Sequence, residues 1–297
     1  GAARVEVGRQ RGALRFEAGG ASADALPLNG TLRSFRFASD YHVGLAEVTN
    51  RDNAVTLATG NYSGTTSDIA DIIVDNNAVI TLTGATVFQA DSDSNGSGAF
   101  TMNAGSSIVG TDTSLTLYTS DNATLRTISL SGVSGSILLN RQASTTPTYT
   151  ANNDISVSNL GLGASTTFSL NGNNLTITTA NISGSSSSTF RLRGSETITM
   201  SGGGTTDVGT WEYTGDGDGN ADTFTIKDFG SVTNDYNNLT INATDTNDVF
   251  VLGADMVLGT RLTVAQGIFN FNGYNFQSSS AFNNTGTRHV LAISGMN

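Results

Sequence analysis

From about residue 53 onward, apolar and polar residues alternate in short runs: Val55-Thr56-Leu57, Ile80-Thr81-Leu82, Leu115-Thr116-Leu117, Leu175-Thr176-Ile177, Ile198-Thr199-Met200 and Leu239-Thr240-Ile241. A period of two, carried largely by β-branched residues, predicts strands that bury one face. Each run is followed within a few residues by Gly, Asn, Ser or Asp. Strands this short cannot bury a face alone, so they must pair or stack in number.

A degenerate unit, apolar-x-apolar-x-Gly, recurs at 80–84, 128–132, 168–172, 198–202 and 269–273, at irregular spacings. Two copies extend further, Phe168-Ser169-Leu170-Asn171-Gly172-Asn173-Asn174-Leu175 and Phe269-Asn270-Phe271-Asn272-Gly273-Tyr274-Asn275-Phe276. The Asn-Gly dipeptide favours positive φ, so the unit predicts strand, tight corner, strand. Such a corner joins successive faces of one coil in a solenoid, or neighbouring antiparallel strands in a hairpin. The expected fold is therefore all-β, with a parallel β-solenoid as the first reading. Tandem β-sandwich or jelly-roll-like domains are the alternative, because no clean period of 18 to 25 residues runs through the chain.

Residues 1–52 break the pattern. They gather Arg4, Arg9, Arg11, Arg15, Arg33 and Arg36 with Phe16, Phe35, Phe37 and Tyr41. This predicts a capping or docking segment ahead of a strand-repeat domain at 53–297, or simply the first strands of that same domain.

Composition narrows the function. Among 297 residues there are 35 glycines, two prolines and only 13% charged side chains, a mixture that favours strands and Gly/Asn turns over helices. The net charge of −11 is the opposite of a phosphate-binding footprint, which argues against a nucleic-acid partner. Lys227 is the single lysine and cysteine is absent, so disulfides and thiolate chemistry are excluded. No apolar run approaches the ~20 residues of a membrane-spanning helix. Gly1-Ala2-Ala3-Arg4 does not open a signal peptide, and the chain reads as a mature or excised piece.

With few cationic partners for so many carboxylates, divalent cations become the natural counter-charge, and two loops suit them. Asp91-Ser92-Asp93-Ser94-Asn95-Gly96 opens like a calcium loop, placing side-chain oxygens of Asp91, Asp93 and Asn95 at alternate positions. Asp216-Gly217-Asp218-Gly219-Asn220-Ala221-Asp222 repeats the alternation with Asp216, Asp218, Asn220 and Asp222. Neither is an EF-hand: the position of the closing Glu is Met102 in the first and Lys227 in the second. The same residues also serve ordinary solvated turns. The expected ion is calcium, in a stiffening role.

Catalytic constellations are sparse. His42 and His289 stand far apart, and no Gly-x-Ser-x-Gly elbow with partners is present. A polysaccharide lyase or glycosidase on a β-helix could draw on Asp68, Asp71 and Asp75, or on Lys227 beside Asp222 and Asp228. Trp211, Tyr213, Tyr236 and Tyr274 could stack on sugars, although aromatic residues more often fill a core.

The segments Phe168–Leu175, Asn237–Ile241 and the run from Val249 through Leu252-Gly253-Ala254-Asp255 and Leu262-Thr263-Val264 to Gly273 resemble bacterial extracellular β-strand-repeat proteins. Autotransporter passengers and filamentous adhesins are of this kind. The resemblance covers roughly residues 53–280 and implies a parallel β-helix on a cell surface. The combined expectation is an extracellular structural protein that self-associates as a surface-layer, filament or adhesin-stalk subunit and is not an enzyme. A glycan-binding module, a β-helix lyase or a tail-spike-like protein is the alternative.

Overall fold

The computed structural model describes the strands at 14–16, 25–27 and 55–58 and most of residues 72–292. Segments 75–78, 83, 91–98, 121–125, 131, 143–144, 180–181, 202–208, 230–234 and 281–282 fall outside the description. Among the described residues there is no helix, hence none long and apolar enough to cross a membrane. The chain winds into a β-solenoid of about seven turns.

Three sets of parallel ladders line the coil as far as about residue 200, and a further ladder joins Thr223–Ile226 to Val249–Leu252 and to the end of Met256–Asn270. The first runs through Ile72–Val74 and Phe100–Met102, then from Arg126–Ile128 through Thr148–Ala151, Thr167–Ser169, Thr189–Leu192, Thr210–Tyr213 and Tyr236–Asn242 into Met256–Asn270. The second carries Val79–Thr81, Ser107–Gly110 and Gly132–Val133, then Ile155–Val157, Leu175–Ile177 and Ile198–Met200. The third carries Thr86–Gln89, Ser114–Thr119, Ser136–Arg141, Asn159–Leu162 and Ile182–Gly184. Parallel strands need a long crossover, and in a coil the rest of the turn supplies it. Of the expected N-terminal segment, Leu14–Phe16 pairs with Ile72–Val74 and Ala25–Pro27 with Val79–Thr81; its other residues lie outside the description.

The alternation read from the sequence is the in/out alternation of the coil. Tyr149, Phe168, Phe190, Trp211, Leu239 and Leu262 occupy one register row and are all buried. Their rings interleave: Phe168 and Phe190 meet edge-on at 5.6 Å, and Phe190 lies 4.6 Å from Trp211. Truncating one such ring in a packed core costs ~3–5 kcal/mol, so the row holds neighbouring turns together strongly.

Turn lengths vary, yet the inward row from Tyr149 to Leu262 stays in register. From Tyr149 to Phe168 the chain spends 19 residues, from Phe190 to Trp211 21, from Trp211 to Leu239 28 and from Leu239 to Leu262 23. The loops absorb the difference, and this is why the sequence shows no fixed period.

Both extended repeats fold into the same corner. Asn171 and Gly172 take φ of 53° and 87°, and Asn272 and Gly273 take 52° and 81°. Past each corner an asparagine is tied to an aspartate one turn earlier, Asn174 to Asp154 and Asn275 to Asp255, at a separation of 20 residues in both cases.

Candidate metal centre

The strand Thr210–Tyr213 leaves the first face through the loop 214–222 and continues as the strand Thr223–Ile226. One turn later Tyr236–Asn242 does the same through 243–248 into Val249–Leu252. The register Thr223↔Val249, Phe224↔Phe250 and Ile226↔Leu252 sets the two loops against each other. Phe224 and Phe250 are buried and stacked at 5.4 Å, which anchors the loops' far ends.

Main-chain bonds then zip the loops together. Thr244 N–H donates to the Thr214 carbonyl at 2.7 Å, and Val249 N–H to that of Asp222 at 2.8 Å. Gly219 N–H donates to Asp245 Oδ2 at 2.9 Å, and Asp222 N–H to Asp248 Oδ1 at 3.1 Å. The alternate glycines Gly215, Gly217 and Gly219 have φ of 69°, 74° and 88°, a left-handed path that L side chains rarely adopt. It delivers Asp216 and Asp218 to the neighbouring turn: each offers a carboxylate oxygen, as does Asp245, and these oxygens all lie within 4.8 Å of one another.

Five carboxylates thus share two adjacent loops, and their environments differ. Asn220 caps Asp218 with both its backbone N–H and Nδ2, each at 2.8 Å, which holds the Asp218 carboxyl below the ordinary range. Desolvation raises the Asp222 carboxyl, with Asp218, Asp216 and Asp245 pushing the same way. Asp248 is raised chiefly by burial; its hydrogen bond from Asp222 opposes this, while Asp245, Asp216 and Asp222 add to it. Two carboxylate oxygens are buried without a hydrogen-bond partner, Asp216 Oδ1 and Asp248 Oδ2. Such groups are costly to leave unpaired in a folded protein.

A buried glutamate shows what a purely structural carboxylate looks like in this fold. Glu196 is also buried, yet it accepts N–H bonds from Gly172 at 2.9 Å and from Arg193 and Gly194 at 2.8 Å each. It closes a corner, and its charge is hydrogen-bonded on both oxygens.

Of the residues expected to bind metal, Asp216 and Asp218 are brought together, Asn220 serves Asp218, and Asp222 reaches Asp248 through its main chain. Asp91, Asp93 and Asn95 lie outside the described residues, as do Asp68, Asp71, Asp75 and His42. Asp245 and Asp248 were not anticipated. Their signal exists in hindsight: Asp222-Thr-Phe-Thr-Ile and Asp248-Val-Phe-Val-Leu are one pattern placed 26 residues apart.

The aromatic surface suggested by the sequence does not form as a group, because Trp211, Tyr213 and Tyr236 are core residues and only Tyr274 is exposed, at 40%. Lys227 is half-buried, and burial lowers its pKa against the pull of Glu196. Its backbone N–H is taken by the Tyr213 hydroxyl at 3.0 Å.

Searches against family models, curated proteins and solved structures return no match for the chain.

Proposed function

We propose that the chain is a structural subunit of an extracellular, cell-surface assembly, a filament, surface layer or adhesin stalk, and that it performs no catalysis. The observation that carries this reading is the unbroken inward row from Tyr149 to Leu262 beneath continuous parallel ladders. A stack of this kind is a stiff rod whose turns contact only their neighbours. Its outer rows are mostly small and neutral. Arg191 and Glu212, 2.7 Å apart in register, pair their charges along one ladder. Parallel ladders also end in unpaired N–H and C=O groups, a chemistry suited to end-to-end addition of further copies.

The glycan-binding reading loses one support with the burial of Trp211, Tyr213 and Tyr236. Electron microscopy with light scattering over a concentration series tests the proposal. Ordered rods or sheets that grow with concentration are expected. A chain that stays monomeric throughout, or that releases unsaturated sugars from an acidic polysaccharide, overturns it.

A further inference from the structure

We propose that the loops 214–222 and 243–248 form one inter-turn site for a hard divalent cation of the calcium class, with Asp216, Asp218 and Asp245 as direct ligands and Asp222 and Asp248 buttressing them. The sequence marks only the first of these loops; the clamp takes its ligands from two successive turns.

Proximity of acidic groups is not the argument. Asp248 is 0% exposed, and its Oδ1 is fixed by the Asp222 N–H while its Oδ2 has no partner. That oxygen lies against Gly215, where a methyl group would overlap it, at the threshold of the Asp216 loop. Oδ1 of Asp216, a member of the triad, is likewise buried and unpartnered. Glu196 shows that this chain satisfies a buried carboxylate fully where its role is structural. Two orphaned anionic oxygens beside three converging carboxylates lack positive charge, and a cation supplies it.

The donor set selects the ion. It is all oxygen, with no imidazole or thiolate, which disfavours zinc and copper. The ligands sit on glycine-rich loops of irregular geometry, which suits the flexible six- to eight-fold shell of calcium better than the strict octahedron of magnesium. The site also stands where it is mechanically useful. The passage from Trp211 to Leu239, at 28 residues, is longer than the turns before and after it, so loop 214–222 is part of a stretch with much chain away from the ladder.

The test is a titration of the full chain, freed of metal by chelator, with terbium and then calcium. Tyr213 and Trp211, in the strand leading into the loop, act as luminescence sensitisers. Saturable terbium luminescence, displaced by calcium more readily than by magnesium, is expected. Asp216→Asn and Asp245→Asn should each weaken binding roughly tenfold or more, the scale on which even indirect metal partners matter. Asp248→Asn provides a check against simple misfolding. In chelator it should melt higher than the parent, because a buried unpaired charge is gone, and in calcium it should gain less than the parent. Unsaturable binding, binding unchanged in Asp216→Asn, or an Asp248→Asn protein that melts lower than the parent in chelator each overturns the proposal. Assembly is a separate matter: a monomer that binds calcium here upholds this site and sinks the filament reading.

Discussion

The hydroxyls of Tyr213 and Tyr236 lie 2.8 Å apart inside the coil, and the order of their protons is fixed by the main chain of one residue, Lys227. Lys227 N–H donates to the Tyr213 oxygen at 3.0 Å, and Tyr236 donates to the Lys227 carbonyl at 2.6 Å, so Tyr213 must donate to Tyr236. Two buried side chains from neighbouring turns thereby close a ring around Lys227. Tyr213→Phe leaves a buried N–H and a hydroxyl lone pair unmet and should cost about 1–3 kcal/mol in equilibrium unfolding. The double variant Tyr213→Phe/Tyr236→Phe should lose less than the sum of the two singles. Additive losses would show that the two hydroxyls do not act as one unit.

Both phenols have raised pKa values, mainly through burial. The neutral form is the one that the fold retains. Their stabilising share is therefore complete below the unfolded value of about 10 and fades as pH rises toward the folded values. Melting temperature should fall on the alkaline side of pH 10, and Tyr236→Phe should flatten that slope. Ionisation of Tyr213 and Tyr236 ahead of unfolding, read as the difference in tyrosinate absorbance between the parent and Tyr213→Phe/Tyr236→Phe, would contradict this order.

The twin clamps Asp154–Asn174 and Asp255–Asn275 behave oppositely with pH. Hydrogen bonds from the asparagine backbone and side chain hold Asp154 below its ordinary pKa; at Asp255 the side-chain bond leads and the backbone bond follows. Stability from these pairs is present above the ordinary carboxylate value and is lost as pH falls through the folded one. Asp255→Asn should melt below the parent at pH 7, with the gap closing under strong acid. A gap that persists unchanged in acid would mean that shape, not charge, matters at the corner.

Two glycines should differ sharply when given a methyl group. At Gly135 it would overlap the main-chain carbonyl of Thr113 on the adjacent turn, and backbone cannot step aside. Gly135→Ala should cost more than ~3 kcal/mol, in the range reserved for named structural faults. At Gly273 the added atom meets nothing within 4 Å, and only the φ of 81° resists it. Gly273→Ala should cost ~1–2 kcal/mol. Comparable losses from chemical denaturation would remove the distinction between crowding and backbone strain.

Strands and corners were readable because they are local. Phe168–Leu175 and Phe269–Phe276 carry their alternation and their Asn-Gly turn within eight residues, and both fold as that pattern requires. The acidic loop was half readable for the same reason: Asp216 and Asp218 are neighbours in sequence, whereas Asp245 and Asp248 join them only through register. Since the turns between Tyr149 and Leu262 alone run from 19 to 28 residues, no fixed offset points from one loop to the next. Trp211, Tyr213 and Tyr236 could not be assigned to core or surface from sequence, because an amphipathic ring suits either place until the register row that holds it is known.

Turn length also sets how the molecule responds to tension. Between Tyr149 and Leu262 each turn consumes 19 to 28 residues yet adds only one strand spacing, ~4.8 Å, to the length of the rod. The hydrogen bonds between turns lie along the axis, so a pull on the ends loads them one rung at a time. A turn that peels away releases roughly 60–90 Å of chain, at ~3.3 Å per residue, in exchange for that single step. The coil is thus a reel as well as a spacer, able to lengthen more than tenfold per turn lost while the turns beyond the break stay wound.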